Sequence, residues 1–327
     1  MKVVVTGGAG FIPSHVIDRL LKEGHQVLSL DDFTLGTKKH FEHHLDNPNF
    51  RFVEMDVTQE EKLNQIFAEF KPECVFHLAA NSDIGAGSYD AKVDLKNTFQ
   101  TTVAVLEAMK KGNVKQIVFA SSSAIYGETN SAISENSGPL MPQSNYGAAK
   151  LAAEGFIFAF AHVNNIKTWI FRFPNVCGPR GTHGVFINFL RFLKADPTQI
   201  TVAQDGKQAK PYIYVLDLID AIMLGWQKSQ EQYNVFNIGN TPLVSVNEIL
   251  AMLTKEKEIK DIKVNYTGGP AWPGDVATYT FDDSKIRALG YNPKYNSKEA
   301  TEKTAYELVH NPEAYIAVYP DTRKSEG

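Results

Sequence analysis

In the segment SNYGAAKLAAE, Tyr146 and Lys150 stand four residues apart, a spacing that puts both on one face of a helix. A tyrosine hydroxyl has a pKa of about 10 and is a poor base at neutral pH. An ammonium about 4 Å away, at an effective dielectric of about 20, contributes about 4 kcal/mol and lowers that pKa by roughly three units. Tyr146 then becomes a base suited to removing a hydroxyl proton while the carbon that carries the hydroxyl gives up hydride. Shortly before that helix, the strand QIVFASSSAIYG ends in hydroxyls. Ser122 can hold the substrate oxygen while Tyr146 takes its proton. Ser123 is a second candidate for touching the substrate, although Ser121 and Ser123 also suit capping or turn formation.

The hydride needs an acceptor, and the N-terminal segment VVVTGGAGFIP offers a place for one. Gly7, Gly8 and Gly10 leave a strand and open a helix, so backbone N–H groups at the helix N-terminus can face a pyrophosphate with no Cβ in the way. The next strand ends LSLDD, and a carboxylate there bonds both hydroxyls of an adenosine ribose and repels a 2′-phosphate. Asp31, with Asp32 beside it, therefore points to NAD rather than NADP. The positive nicotinamide ring of the oxidised cofactor would push the Tyr146 pKa further down. Asp56 in VEMDV closes the third strand; it can bond the adenine amino group or cap the helix that starts TQEE. Val57, its neighbour, is placed against the same cofactor. Pro13 stands where a third glycine is expected. The first helical turn tolerates it, because no intrahelical N–H is lost there. Proline also restrains Ile12 away from the helical region, which predicts a locally shifted first turn.

These residues need elements that bring them together. Through residue 175 short β-branched runs alternate with amphipathic stretches: KVVVT, a helix over about 11 to 23, QVLSLDD, FRFVEMDV, a helix over 59 to 70, CVFHLAA, a long helix near 92 to 111, QIVFASSS, a helix from about 145, and KTWIFRF. Strands separated by helices of this length imply right-handed βαβ crossovers and a parallel sheet covered on both faces. The fold class is α/β, a doubly wound Rossmann sheet with a smaller C-terminal substrate-binding lobe. The expected division is 1–174 plus about 212–240 for the NAD domain and 175–211 plus about 241–315 for the lobe, with a polar tail over 316–327. YIYVLDLIDAIMLGW is expected to return a strand and a helix to the first domain.

Composition narrows the partners. The chain has 327 residues and a formal net charge of -4. No run of five or more Lys and Arg occurs, which argues against nucleic acid and anionic membrane. Two cysteines, Cys74 and Cys177, make neither a disulfide framework nor a metal cluster and suit a reducing cytoplasm. The longest apolar stretch, around FIFAFAHV, is too short to span a bilayer. His77, His183 and the pair His43 and His44 show no metal-ligand spacing, and no metal is expected. His77, in an apolar strand, reads as a packed core residue.

With the glycine turn, Asp31, the serine strand, YGAAK and RFPNVCGPRGTHG in order, the chain resembles the extended short-chain dehydrogenase/reductases, specifically the NAD-dependent nucleotide-sugar epimerases and dehydratases, and within them the UDP-glucose 4-epimerase-like branch. The resemblance runs from residue 2 to about 310. It implies that Phe11 and Ile12 offer N–H groups to the pyrophosphate, that Leu78, Ala79 and Ala80 line the cofactor, and that Lys150 also bonds the nicotinamide ribose. It further implies that Asn175 contacts the substrate diphosphate and that Val185 and Phe186 lie along the nucleotide. Ser82 joins Ser123 as a candidate on the substrate side. The pattern departs from the family at three places. Dehydratases carry an acid two places after the residue matching Ser122, where this chain has Ala124, so water elimination is not expected. QAKPYIYVLD puts Lys210 where a phosphate-binding arginine is usual, keeping the charge and losing the bidentate fork. In WPGD, Trp272 replaces an arginine while Asp275 is retained; Trp272 either stacks on the nucleotide or packs the lobe.

Three activities fit these residues. The first is a nucleotide-sugar 4-epimerase: Tyr146 removes the C4 proton, NAD takes the hydride, a transient 4-keto sugar turns over, and hydride returns to its other face. The second is a 4-dehydrogenase or ketoreductase with net redox, using the same Ser122, Tyr146 and Lys150. The third is a non-catalytic NAD-sensing protein, against which the intact Tyr and Lys pair argues. The resemblance also implies a homodimer built from the helices near 92 to 111 and 145 to 163.

Overall fold

The computed structural model describes residues 1–129, 132–269 and 274–311. Trp272 and the tail over 316–327 lie outside the described residues. The first half of the chain runs β1 (Lys2–Thr6), α1 (Phe11–Lys22), β2 (Gln26–Asp31), β3 (Phe50–Glu54), α2 (Glu60–Phe70), β4 (Cys74–His77), α3 (Ile84–Tyr89), α4 (Ala91–Asp94), α5 (Thr101–Lys111), β5 (Gln116–Ser122), α6 (Asn145–Asn164) and β6 (Lys167–Phe173). Six of these strands and Tyr233–Asn237 form one sheet in the order Tyr233–Asn237, β6, β5, β4, β1, β2, β3. Every pairing in it is parallel. The order reverses beside β1, which pairs β4 on one edge and β2 on the other. Such a switch point opens a crevice at the carboxyl ends of the strands.

Period-2 alternation sends β1 side chains to two cores. Val3 and Val5 join Val16, Ile17 and Leu20 of α1 and the helix Val215–Lys228. Val4 joins Leu63 and Phe67 of α2, Val105 and Met109 of α5, and Ala153 and Ile157 of α6. A third cluster gathers Phe186, Phe189, Ile200, Tyr212, Leu250 and Leu308. Its helices are Val185–Ala195, Val246–Glu256 and Ser297–His310.

Three details differ from the sequence reading. The strand that returns to the main sheet is Tyr233–Asn237, not the YIY run: Tyr212–Tyr214 pairs with Asn175–Cys177 in a separate two-stranded sheet. The place beside β6 is taken instead by Tyr233–Asn237, which follows the helix Val215–Lys228. The helix near 92 to 111 is interrupted by a π-helical stretch, Leu95–Gln100, which no 3.6-residue periodicity reveals. Finally, α1 starts at Phe11 with Ile12 inside it, so Pro13 does not drive Ile12 out of the helix. Pro13 is the third helical residue, and the first intrahelical bond runs from Ser14 N to the Gly10 carbonyl at 3.2 Å, which leaves its missing N–H without consequence.

Candidate active site

The crevice is walled by the turn after β1. Gly7 has φ +72°, and a Cβ on it would lie 2.8 Å from Ala79 Cα, so only glycine permits the β1 and β4 turns to touch. Gly7, Gly10, Phe11 and Ile12 line the cleft, together with Leu78, Ala79 and Ala80 of the adjacent turn. That turn is pinned from below. Leu78 N and Ala79 N both donate to Thr6 Oγ1 at 3.2 Å, which leaves the Thr6 proton for His77 Nδ1 at 2.7 Å. His77 Nε2 then donates to Thr102 Oγ1 at 2.9 Å. Burial pushes the His77 imidazole down to about 3, so it is a neutral core residue and not a ligand.

Asp31 ends β2 inside the cleft. Its carboxylate accepts from Phe33 N at 2.7 Å and Ala9 N at 3.1 Å, and burial still pushes its pKa up to about 6. A carboxylate has about four lone-pair sites, so acceptor capacity remains for a ribose hydroxyl. Asp32 also lines the cleft and turns its carboxylate to Thr34 N at 2.9 Å. Asp56 and Val57 line the same end. Asp56 does not cap α2, whose N-cap is Gln59; it accepts from Thr58 N at 2.9 Å and pairs with Lys96 at 2.8 Å. The glycine cradle, the exposed helix N-terminus and the buried acid at the second strand fit a dinucleotide with an unphosphorylated ribose.

The reactive end lies where β5 meets α6. Ser122 Oγ accepts from Ala124 N at 3.1 Å and hydrogen-bonds the Tyr146 phenol. Lys150, 3 % exposed, donates from Nζ to the Ala120 carbonyl at 2.7 Å. Its Nζ sits 5.9 Å from the Tyr146 ring centre. Burial pushes the phenol up to about 12, eased by the Ser122 bond. Burial likewise draws the Lys150 ammonium down to about 7, against the pull of Glu154 and Asp94. The predicted lowering of the Tyr146 pKa is therefore not what this geometry produces: desolvation outweighs the ammonium while Nζ is engaged by Ala120.

The lobe supplies the remaining wall. Asn175, Phe186, Lys210 and Asp275 line it, and Ser82 and Ser123 line the same cleft. Lys210 Nζ is ion-paired with the buried Asp275 carboxylate, and Ser123 Oγ donates to Tyr279 OH at 2.9 Å. Val185 heads its helix but does not line the cleft; Ile187 does. Sequence reading missed Tyr279 and His183, both cleft-lining. The alternation in ATYTF held a signal for Tyr279, and His183 was weighed only as a metal ligand. It also missed that Asp18 reaches His43 and His44, bringing three potential ligand atoms within 4.8 Å of one another. Arg180 lies 2.7 Å from the same Asp18 carboxylate, so that cluster already holds a cation. No helix among the described residues is long and apolar enough to cross a membrane.

Together, the parallel sheet with its switch-point cleft and the Ser–Tyr–Lys group define a doubly wound dinucleotide-binding enzyme. The profile of the NAD dependent epimerase/dehydratase family matches residues 3–239, and the chain belongs to that family. It is 30% identical to a protein of Methanocaldococcus jannaschii named putative UDP-glucose 4-epimerase, over 94% of this chain and 99% of that one. The crystal structure of UDP-glucose 4-epimerase with UDP-glucose from Thermotoga maritima superposes with a TM-score of 0.83 at 32% identity, covering 94% of this chain and 98% of the other. The UDP-glucuronic acid 4-epimerase of Bacillus cereus, solved with UDP-glucuronic acid and NAD, superposes with a TM-score of 0.86 at 26% identity, covering 95% and 100%. The chain is thus an NAD-dependent enzyme of this epimerase family.

Proposed function

We propose that the chain is a nucleotide-sugar 4-epimerase that works through a transient 4-keto sugar, with Tyr146 as the base and Ser122 and Lys150 assisting. The observation that carries this is the meeting of Ser122, Tyr146 and Lys150 in a cleft that Asn175, Lys210 and Asp275 also line. Bound NAD, held by Gly7, Gly10, Phe11, Ile12 and Asp31, supplies the acceptor and donor of hydride. Ser122 holds the C4 oxygen, and Tyr146 as the phenolate takes its proton and, as the phenol, returns it. For a phenol at about 12 to act near neutral pH, positive charge must come to it. Lys150 is the cation in position: Nζ moved from the Ala120 carbonyl to about 4 Å from the phenol oxygen is worth about 4 kcal/mol, roughly three pKa units. Lys210 and Asn175 hold the diphosphate. The two solved relatives named for UDP-glucose and UDP-glucuronic acid support a UDP-sugar as substrate.

The test is turnover of UDP-, GDP-, CDP- and dTDP-sugars by wild type and Tyr146→Phe. Wild type is expected to yield a new sugar with no net NADH, and the variant to lose 10²- to 10⁴-fold, on the order expected for a general base. Net NADH would mean a dehydrogenase or ketoreductase, and unchanged turnover by Tyr146→Phe would sink the assignment. We also propose a homodimer through the faces of α5 and α6, where Phe156 and Val163 are 43% and 79% exposed; sedimentation at 36.4 kDa would count against it. A cytoplasmic setting is supported by the two cysteines, both free and buried.

A further inference from the structure

Three successive residues at the end of β5 are each tied to α6, and their partners on α6 are spaced four residues apart. Lys150 donates to the Ala120 carbonyl at 2.7 Å, Ser122 bonds Tyr146, and between them the Ser121 hydroxyl donates to Glu154. Glu154 is 1% exposed. Arg172 of β6 grips both its carboxylate oxygens, Nε at 3.0 Å and Nη2 at 2.6 Å. Arg172 is held in turn, donating from Nη1 to Tyr126 OH at 2.7 Å and to the Glu135 carbonyl at 3.2 Å. The Tyr126 hydroxyl donates in turn to Asn237 Oδ1 at 2.7 Å. Every polar atom of this buried chain is engaged, which is what holds a charged group at one place in a core.

We propose that Glu154, anchored by Arg172, is a positioning residue for the reaction: through Ser121 it sets the register of Ser122 against Tyr146, and its carboxylate, one helical turn from Lys150 on α6, supplies negative charge to the ammonium. This rests on the roles proposed for Tyr146 and Lys150. The groups that face the Lys150 ammonium come from four elements. Glu154 and Tyr146 share α6, Asp94 belongs to α4, His77 to β4, and the Phe119 ring of β5 lies 4.8 Å from Nζ. His77 is neutral, and burial raises the Asp94 carboxyl above its usual range. Glu154 is the largest influence opposing desolvation at Lys150. With Lys150 near 7, a modest loss of negative field carries it across neutrality.

The test compares wild type, Glu154→Gln and the double variant Glu154→Gln/Arg172→Gln; the double variant leaves no buried charge without a partner and so guards against misfolding. Lysine-labelled protein is titrated by NMR, with the Lys150 signal assigned through Lys150→Arg, and the pH profile of kcat is recorded alongside. The Lys150 midpoint is expected to fall by about one pH unit in Glu154→Gln and by less in the double variant, which removes the Arg172 charge as well, and the alkaline limb of kcat to fall with it. Glu154→Asp, which keeps the charge, is expected to restore the midpoint. A Glu154→Gln protein with the wild-type midpoint and profile overturns the charge role, because a merely structural role does not move a titration, and a folded double variant with wild-type kcat and KM overturns the register role. If wild type converts no nucleotide sugar, the Tyr146 assignment falls instead, while the Lys150 midpoint still decides the charge role of Glu154.

Discussion

Gly7→Ala tests the close approach that closes the dinucleotide turn. The new Cβ would lie 2.8 Å from Ala79 Cα, 2.9 Å from Ala79 N and 3.2 Å from Leu78 C. These are backbone atoms, and they are held by the β1–β4 ladder and the Thr6 bonds, so no side-chain rotation relieves the contact. At φ +72° an alanine also pays about 1–2 kcal/mol for the left-handed conformation, and overpacking adds about 1–3 kcal/mol. A total of about 3 kcal/mol follows. Unfolding entropy of about 2.1 cal/mol/K per residue over the whole chain is about 0.7 kcal/mol/K, so the melting temperature should fall by about 4 °C. If half of the strain is relieved only when the β4 turn withdraws from the cleft, NAD binding weakens by about tenfold. Thermal melts and cofactor titration read both effects. A Gly7→Ala protein that melts within about one degree of wild type and binds NAD equally well would refute the packing argument.

Other outcomes follow from the same geometry. Asp31 is pushed up to about 6 by burial, and ribose hydroxyls donating to its carboxylate favour the ionised form, so the pKa drops on binding. NAD affinity should therefore fall as the pH drops below about 6 and level off above it; titration calorimetry of Asp31→Asn should show weaker, pH-independent binding. Lys210→Ala leaves the Asp275 carboxylate, 7% exposed, without its ion pair, and should cost about 3 kcal/mol of stability in a denaturant titration. The same variant should raise KM for the nucleotide sugar with little change in kcat; adding Asp275→Asn should recover the stability and not the KM.

The sequence by itself determined what local chain geometry decides. Three glycines between a β-branched run and an amphipathic run make an anion-facing turn wherever they fold, and residues 146 and 150 share a helix face because a helix repeats every 3.6 residues. Alternating strands and helices likewise leave few topologies other than a doubly wound sheet. What only the tertiary structure decided are matters of burial and of partners far apart in the chain. The phenol and ammonium pKa values are governed by how deeply both groups lie, which no spacing reports. Glu154 finds Arg172, Lys210 finds Asp275 and Asp18 finds His43 and His44 only after the chain has crossed the sheet or closed the lobe over it. The returning strand is Tyr233–Asn237 rather than the YIY run, because pairing with β6 is a long-range choice that no local pattern reports. Local periodicity places a side chain on a face; it is the packing of that face against another element that sets its charge and its reach.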